Sequence, residues 1–202
     1  MRSVRFTENA SLLCRHGITE PAAPYFVQKQ ILQAKAPVTV IFLKDMTLAE
    51  SWSEDIPFFS NLKGESAPLI ALLHELPEDE TSELKAFDQE CDRITALTHL
   101  LDYKTDSKGK APLVLLTTPH AFFLPTPKAD KLQQDEIRLS VGGEYPFQEL
   151  IRQLTENLRY DHEAVCEMPG QFAVRGGIID VYPVNAEAPY RLDFFGDEID
   201  DI

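Results

Sequence analysis

Two places in the sequence carry residue types that could do chemistry. The first is "GITEPAAP", residues 17–24, a glycine-opened loop ahead of a helical pattern, in the frame G-x-x-x-x-G-K-[ST] of a phosphate-binding loop. In such a loop backbone N–H groups and a lysine cradle the phosphates while a hydroxyl holds Mg²⁺. After Gly17 every required position fails: Ala22 stands for the second glycine, Ala23 for the lysine and Pro24 for the hydroxyl. Pro21 and Pro24 also lack the N–H groups that would point at the anion, so the loop is degenerate and cannot bind nucleotide in that manner. The second place is "QFAVRGGIIDVYPVNAEAPYRLDFF", residues 171–195, rich in strand formers. Alternation puts Phe172, Val174, Leu192 and Phe194 on one face, which leaves Arg175, Arg191 and Phe195 facing outward. Two guanidinium groups and an aromatic ring are the types enriched at binding hot spots. On the residues alone two readings stay open: a docking face, or a cation resting on an aromatic ring with Asp193 as its ion-pair partner.

Other constellations carry less. His16, His74, His99, His120 and His162 are scattered without an i, i+4 pair, so no metal site is expected. Cys14, Cys91 and Cys166 have no C-x-x-C partner and read as buried free thiols. The carboxylates of "ELPEDETSELKAFDQECD" read as a solvated helix face, and no G-x-S-x-G elbow occurs. No catalytic residue is assigned.

A net charge of −14 over 202 residues argues against a protein whose main task is to grip a phosphate backbone, and points to protein partners. No run of 18 apolar residues and no leader-type N-terminus occur, so a cytoplasmic protein without a membrane partner is expected.

The elements that would position these residues fall into two groups. "VTVIFL", "PLIALL" and "APLVLLTT" are short continuous apolar runs; the first reads as a strand buried on both faces, and the other two repeat that buried-strand signal. Helices are expected between them: one over 25–35 with Phe26, Val27, Gln30 and Ile31 on a face, one capped by Thr47 with Glu50, and a long one with Leu84, Phe87, Cys91, Ile94 and Leu101 as its stripe. That alternation predicts a parallel-sheet α/β layer over residues 1–124. "LPTPKADKLQQDE" marks the boundary. Residues 125–202 are expected to form a small α+β domain: a strand ending on Gly142 and Gly143, a helix with Phe147, Leu150, Ile151, Leu154 and Leu158 on one side, and three antiparallel strands near 171–175, 177–183 and 189–195.

The run "RGGIIDVYP" followed by "YRLDFFGDEID" resembles the UvrA-interaction domain shared by the excision-repair protein UvrB and the bacterial transcription-repair coupling factors (Mfd). A weaker resemblance covers nearly the whole chain, with "GITEPAAP" where UvrB carries its phosphate loop. The degenerate loop favours the coupling factors, as does "LHELPEDETSELKAFDQECDRITALTHLL" with Arg93 in its helix, although Glu78 and Glu83 stand where an aromatic and a proline would match. The resemblance implies an adaptor in transcription-coupled nucleotide excision repair that docks UvrA through Arg175, Arg191 and Phe195 and has no nucleotide site of its own. It also implies that RNA polymerase, double-stranded DNA, ATP and Mg²⁺ belong to motor and polymerase-binding domains absent here, so that the end at Ile202 is expected to be a truncation. The alternative is a UvrB-type ATPase fragment with an atypical nucleotide site. A third possibility is that the same face is covered by another part of a longer protein until a stalled polymerase exposes it.

Overall fold

A computed structural model describes residues 17–34, 36–76, 83–105 and 108–202, with the side chains of residues 32, 34, 83–85 and 105 outside the description. Cys14, His16, Glu78 and the side chain of Leu84 therefore lie outside the described residues.

Strands β1 (Val38–Phe42), β2 (Leu69–Leu73) and β3 (Leu113–Thr117) form an all-parallel sheet in the order β1-β3-β2. Its helices are α1 (Ala23–Ala34), α2 (Met46–Leu62) and α3 (Glu83–Thr105). Alternation along β3 divides the core in two. Val114 and Leu116 pack with Ile31 of α1 and Ala49, Trp52 and Ile56 of α2, whereas Leu113 and Leu115 pack with Ala96 and Tyr103 of α3. Helices thus cover both faces, as a parallel sheet requires.

The central place of β3 corrects one expectation. All five β3 residues are buried, but β1 is an edge strand with Val40 and Phe42 exposed, because α3 lies over β2 and β3 and leaves that side of β1 bare. Phe42 meets Phe122 edge to face at 5.1 Å beside the exposed Phe123. Two local details also differ from expectation. The cap of α2 is Asp45, whose carboxylate accepts from the Leu48 N–H at 2.8 Å, and Thr47 is already inside the helix. On α1 the buried face runs through Pro24, Gln28 and Ile31, while Phe26 is exposed and Val27 and Gln30 are half-buried; Gln28 Nε2 donates to Ser60 Oγ and Glu65 Oε2.

Arg93 ties this layer together. It is 5% exposed in the middle of α3, and its guanidinium donates to the carbonyls of His74 after β2, Ala121 of the short helix α4 (Pro119–Phe123), and Leu124 and Pro125 beyond it. Burial pulls its pKa down.

After α5 (Ala129–Gln134) the chain builds a second, five-stranded sheet. It contains β4 (Asp161–His162), β5 (Gln171–Arg175), β6 (Ile178–Tyr182), β7 (Tyr190–Phe195) and β8 (Glu198–Asp201) in sequential order, antiparallel apart from the β4–β5 pair. The three expected strands are present, and β4 and β8 are additions. The strand expected before Gly142 is instead an extended stretch without a ladder. It runs beside β8, with Gly142 N–H donating to the Ile199 carbonyl and the Ile199 N–H to the Gly143 carbonyl.

Pro146 caps α6 (Phe147–Arg152), which runs on into a π-helical turn at Gln153–Asn157. Leu150 and Leu154 on this helix bury against Phe172, Ile179, Val181, Leu192, Phe194 and Ile199 of the sheet. Each such fully buried apolar side chain contributes about 1.5–3 kcal/mol. Against α3, Phe87 abuts Gly170, where an added Cβ would lie 3.1 Å from the ring.

Candidate docking face

The inner side of the second sheet is filled by its core, so the outward side chains follow from the register. Ala173, Asp180 and Arg191 stand in one cross-strand row over β5, β6 and β7. Arg175, Ile178, Asp193 and Asp201 form the next, and Phe195 lies opposite Glu198 in the third. With about 4.8 Å between strands and about 3.4 Å per residue, the backbones at Arg175, Arg191 and Phe195 form a triangle about 12–14 Å on a side, with Ile178 inside it. All three corners are exposed, and the Phe195 ring is 84% exposed at the end of β7.

The two cations are held differently. Arg175 Nη2 donates to the Ala164 carbonyl at 2.6 Å, which ties β5 to the loop after β4. Arg191 makes a bidentate pair with Asp180, Nε to Oδ1 at 2.7 Å and Nη2 to Oδ2 at 2.9 Å. The bonded Arg191 guanidinium holds the Asp180 carboxyl below the usual range, and the charge of Arg175 adds to the effect. One of the two readings open from sequence pairs a cation with Asp193; the partner of Arg191 is Asp180 instead, because a directly opposed cross-strand neighbour stands closer than a side chain two residues along the same strand.

The turn "RGG" sets this geometry. Gly176 adopts φ +62°, in the left-handed region that disfavours a side chain, and Gly177 passes so close to β7 that an added Cβ would lie 2.8 Å from the Phe194 carbonyl oxygen. Both Gly177 backbone contact and strand pairing run through that carbonyl's residue, since the Phe194 N–H donates to the Gly177 carbonyl at 2.9 Å. Gly177→Ala is therefore expected to destabilise the second sheet by about 1–3 kcal/mol, as overpacking against fixed backbone does. Chemical denaturation followed by far-UV circular dichroism checks it.

The loop ahead of α1 is equally determinate. Gly17 has φ +77°, residues Glu20–Ala22 form a 3-10 turn, and α1 starts at Ala23. Of the four positions from Pro21 to Pro24, the two prolines have no N–H. Ala22 N–H donates to the Thr19 carbonyl and Ala23 N–H to the Glu20 carbonyl. Pro24 is wholly buried.

Elsewhere, Cys91 is buried and burial pushes its thiol up to about 11, while Cys166 is half-buried with its Sγ donating to the Gln171 carbonyl. His74 Nε2 stands 3.2 Å from Asp92 Oδ2. No group of three potential metal ligands occurs among the described residues, and no described helix is long and apolar enough to cross a membrane.

The second unit is thus a helix-backed, mostly antiparallel sheet with two arginines and an aromatic ring exposed on its outer side. Residues 137–202 match the family model of the UvrB interaction domain. Over most of its length the chain is similar to transcription-repair-coupling factors. It is 30% identical over 184 residues to that of Mycobacterium bovis, covering 89% of this chain and 14% of the relative. It is 26% identical over 190 residues to that of Bacillus subtilis, covering 92% and 15%. It is also 44% identical over 62 residues to the UvrABC system protein B of Lactobacillus acidophilus, covering 30% and 9%. The chain thus spans about a seventh of the length of the coupling factors it matches.

Proposed function

We propose that this chain is an adaptor fragment of a transcription-coupled nucleotide excision repair factor, which recruits UvrA through the outer face of β5–β7 and has no nucleotide site of its own. The observation that carries the proposal is the placement of Arg175, Arg191 and Phe195 on one free sheet face, in a segment that matches the family model of the UvrB interaction domain. A triangle of this size fits the centre of one interface, for which a partner typically covers about 800 Å². Residues 125–202 would form the docking unit and residues 1–124 a degenerate nucleotide-binding-like layer that supports it. In the longer protein, contacts with RNA polymerase and double-stranded DNA, and ATP and Mg²⁺ chemistry, would belong to other domains.

The similarity to UvrABC system protein B favours one alternative, a UvrB-type ATPase fragment with an atypical nucleotide site. The loop at Gly17 supports the adaptor instead: Ala22, Ala23 and Pro24 supply neither lysine nor hydroxyl, and residues 21–24 present no free N–H group to a phosphate. Titration calorimetry with ATP and Mg²⁺ is expected to show no binding in the micromolar range. Micromolar binding would establish the ATPase alternative.

A further inference from the structure

Resting on the docking reading above, we propose that Asp180 is a positioning residue of the docking face, fixing the Arg191 guanidinium in the pose that meets the partner. Arg191 starts as a long, flexible side chain, 64% exposed, on a strand whose outer face offers it little apolar cover. Left free, it would lose rotamer entropy on binding. Asp180 removes that freedom beforehand. Its side chain is 17% exposed, it stands directly opposite Arg191 in the β6–β7 register, and it accepts two parallel hydrogen bonds from Nε and Nη2. The fork geometry leaves the Nη1 edge of the guanidinium pointing away from the carboxylate, available to a carboxylate or carbonyl of the partner.

Asp180 also lies within electrostatic reach of Arg175, one strand and one row away, so one carboxylate stands between both cations of the face. Arg175 is anchored by another acceptor, the Ala164 carbonyl. The two guanidinium groups are therefore each tethered at one edge, and a partner meets donors at set positions. A face that worked by positive charge alone would be weakened by a carboxylate in this place; a face that works by geometry needs it.

The two accounts predict opposite signs. Asp180→Asn in the full chain is expected to bind purified UvrA about tenfold more weakly than the parent, although it removes a negative charge from an acidic chain. In an Arg191→Ala background the same substitution is expected to change affinity by less than about twofold, as for a residue acting through Arg191. Asp180→Glu, which keeps the carboxylate, is expected to recover most of the loss. The Arg191 Nε–H, followed by ¹⁵N NMR in the unbound chain, should exchange faster in Asp180→Asn; this readout stands even if the variant melts earlier. Binding by Asp180→Asn at or above parental strength would overturn the proposal, as would an equal loss in the Arg191→Ala background or an unchanged Nε–H exchange. In each of those cases weak binding by Arg191→Glu would leave the docking reading standing, whereas full-strength binding by Arg191→Glu would remove the docking reading itself.

Discussion

Arg191→Glu is expected to weaken binding of UvrA by at least about 30-fold, the scale of a central interface arginine. Reversal does more than remove a donor. The new carboxylate would stand directly opposite Asp180 on β6 and two residues from Asp193, so that like charges face each other across the strands. Arg191 is exposed and makes no core contact, so the variant is expected to keep the fold; the inward Leu192 beside it is 2% exposed and unaffected. Unchanged circular dichroism with lost binding in surface plasmon resonance is the expected pair of results. Phe195 belongs to the same face, and its ring is 84% exposed.

The largest effect on stability is expected from Arg93→Ala, about 3 kcal/mol or more. The guanidinium is buried and donates to four carbonyls from two separate segments, so truncation leaves the carbonyls of His74, Ala121, Leu124 and Pro125 without that donor and opens a void in the layer. The single tryptophan, Trp52, is buried in the same layer on α2 and reports the loss directly. Denaturant titration followed by Trp52 fluorescence should show an earlier transition, while an unchanged midpoint would mean that water replaces the guanidinium without cost.

Sequence patterning made most of the second sheet legible, because its strands have one buried face. Phe172, Val174, Leu192 and Phe194 recur at every second position along their strands, and period 2 therefore places Arg175, Arg191 and Phe195 on the opposite face whatever the pairing. Strand β8 is not legible in the sequence because Glu198–Asp201 offers one apolar residue, Ile199, whose burial to 1% depends on pairing with β7 after the turn at Gly196. The partner of Arg191 is hidden for a related reason. Asp180 and Arg191 are eleven residues apart, and their opposition is a property of register that composition does not reveal. In the first layer the three apolar runs look alike, yet the crossover that brings β3 between β1 and β2 makes one central and two marginal. The burial of Gln28 and Arg93 likewise depends on partners thirty or so positions away, Ser60 and Ala121 among them.

UvrA docking on one defined face is most directly tested by titrating the isotope-labelled chain with unlabelled UvrA and following side-chain NMR signals. The Arg175 and Arg191 guanidinium groups, the Ile178 methyls and the Phe195 ring are expected to shift or broaden together, while the buried methyls of Leu150, Leu154, Val114 and Leu116 stay in place. Perturbation centred instead on the exposed Phe42, Phe122 and Phe123 cluster beside β1, with the outer-face signals unmoved, would contradict the account.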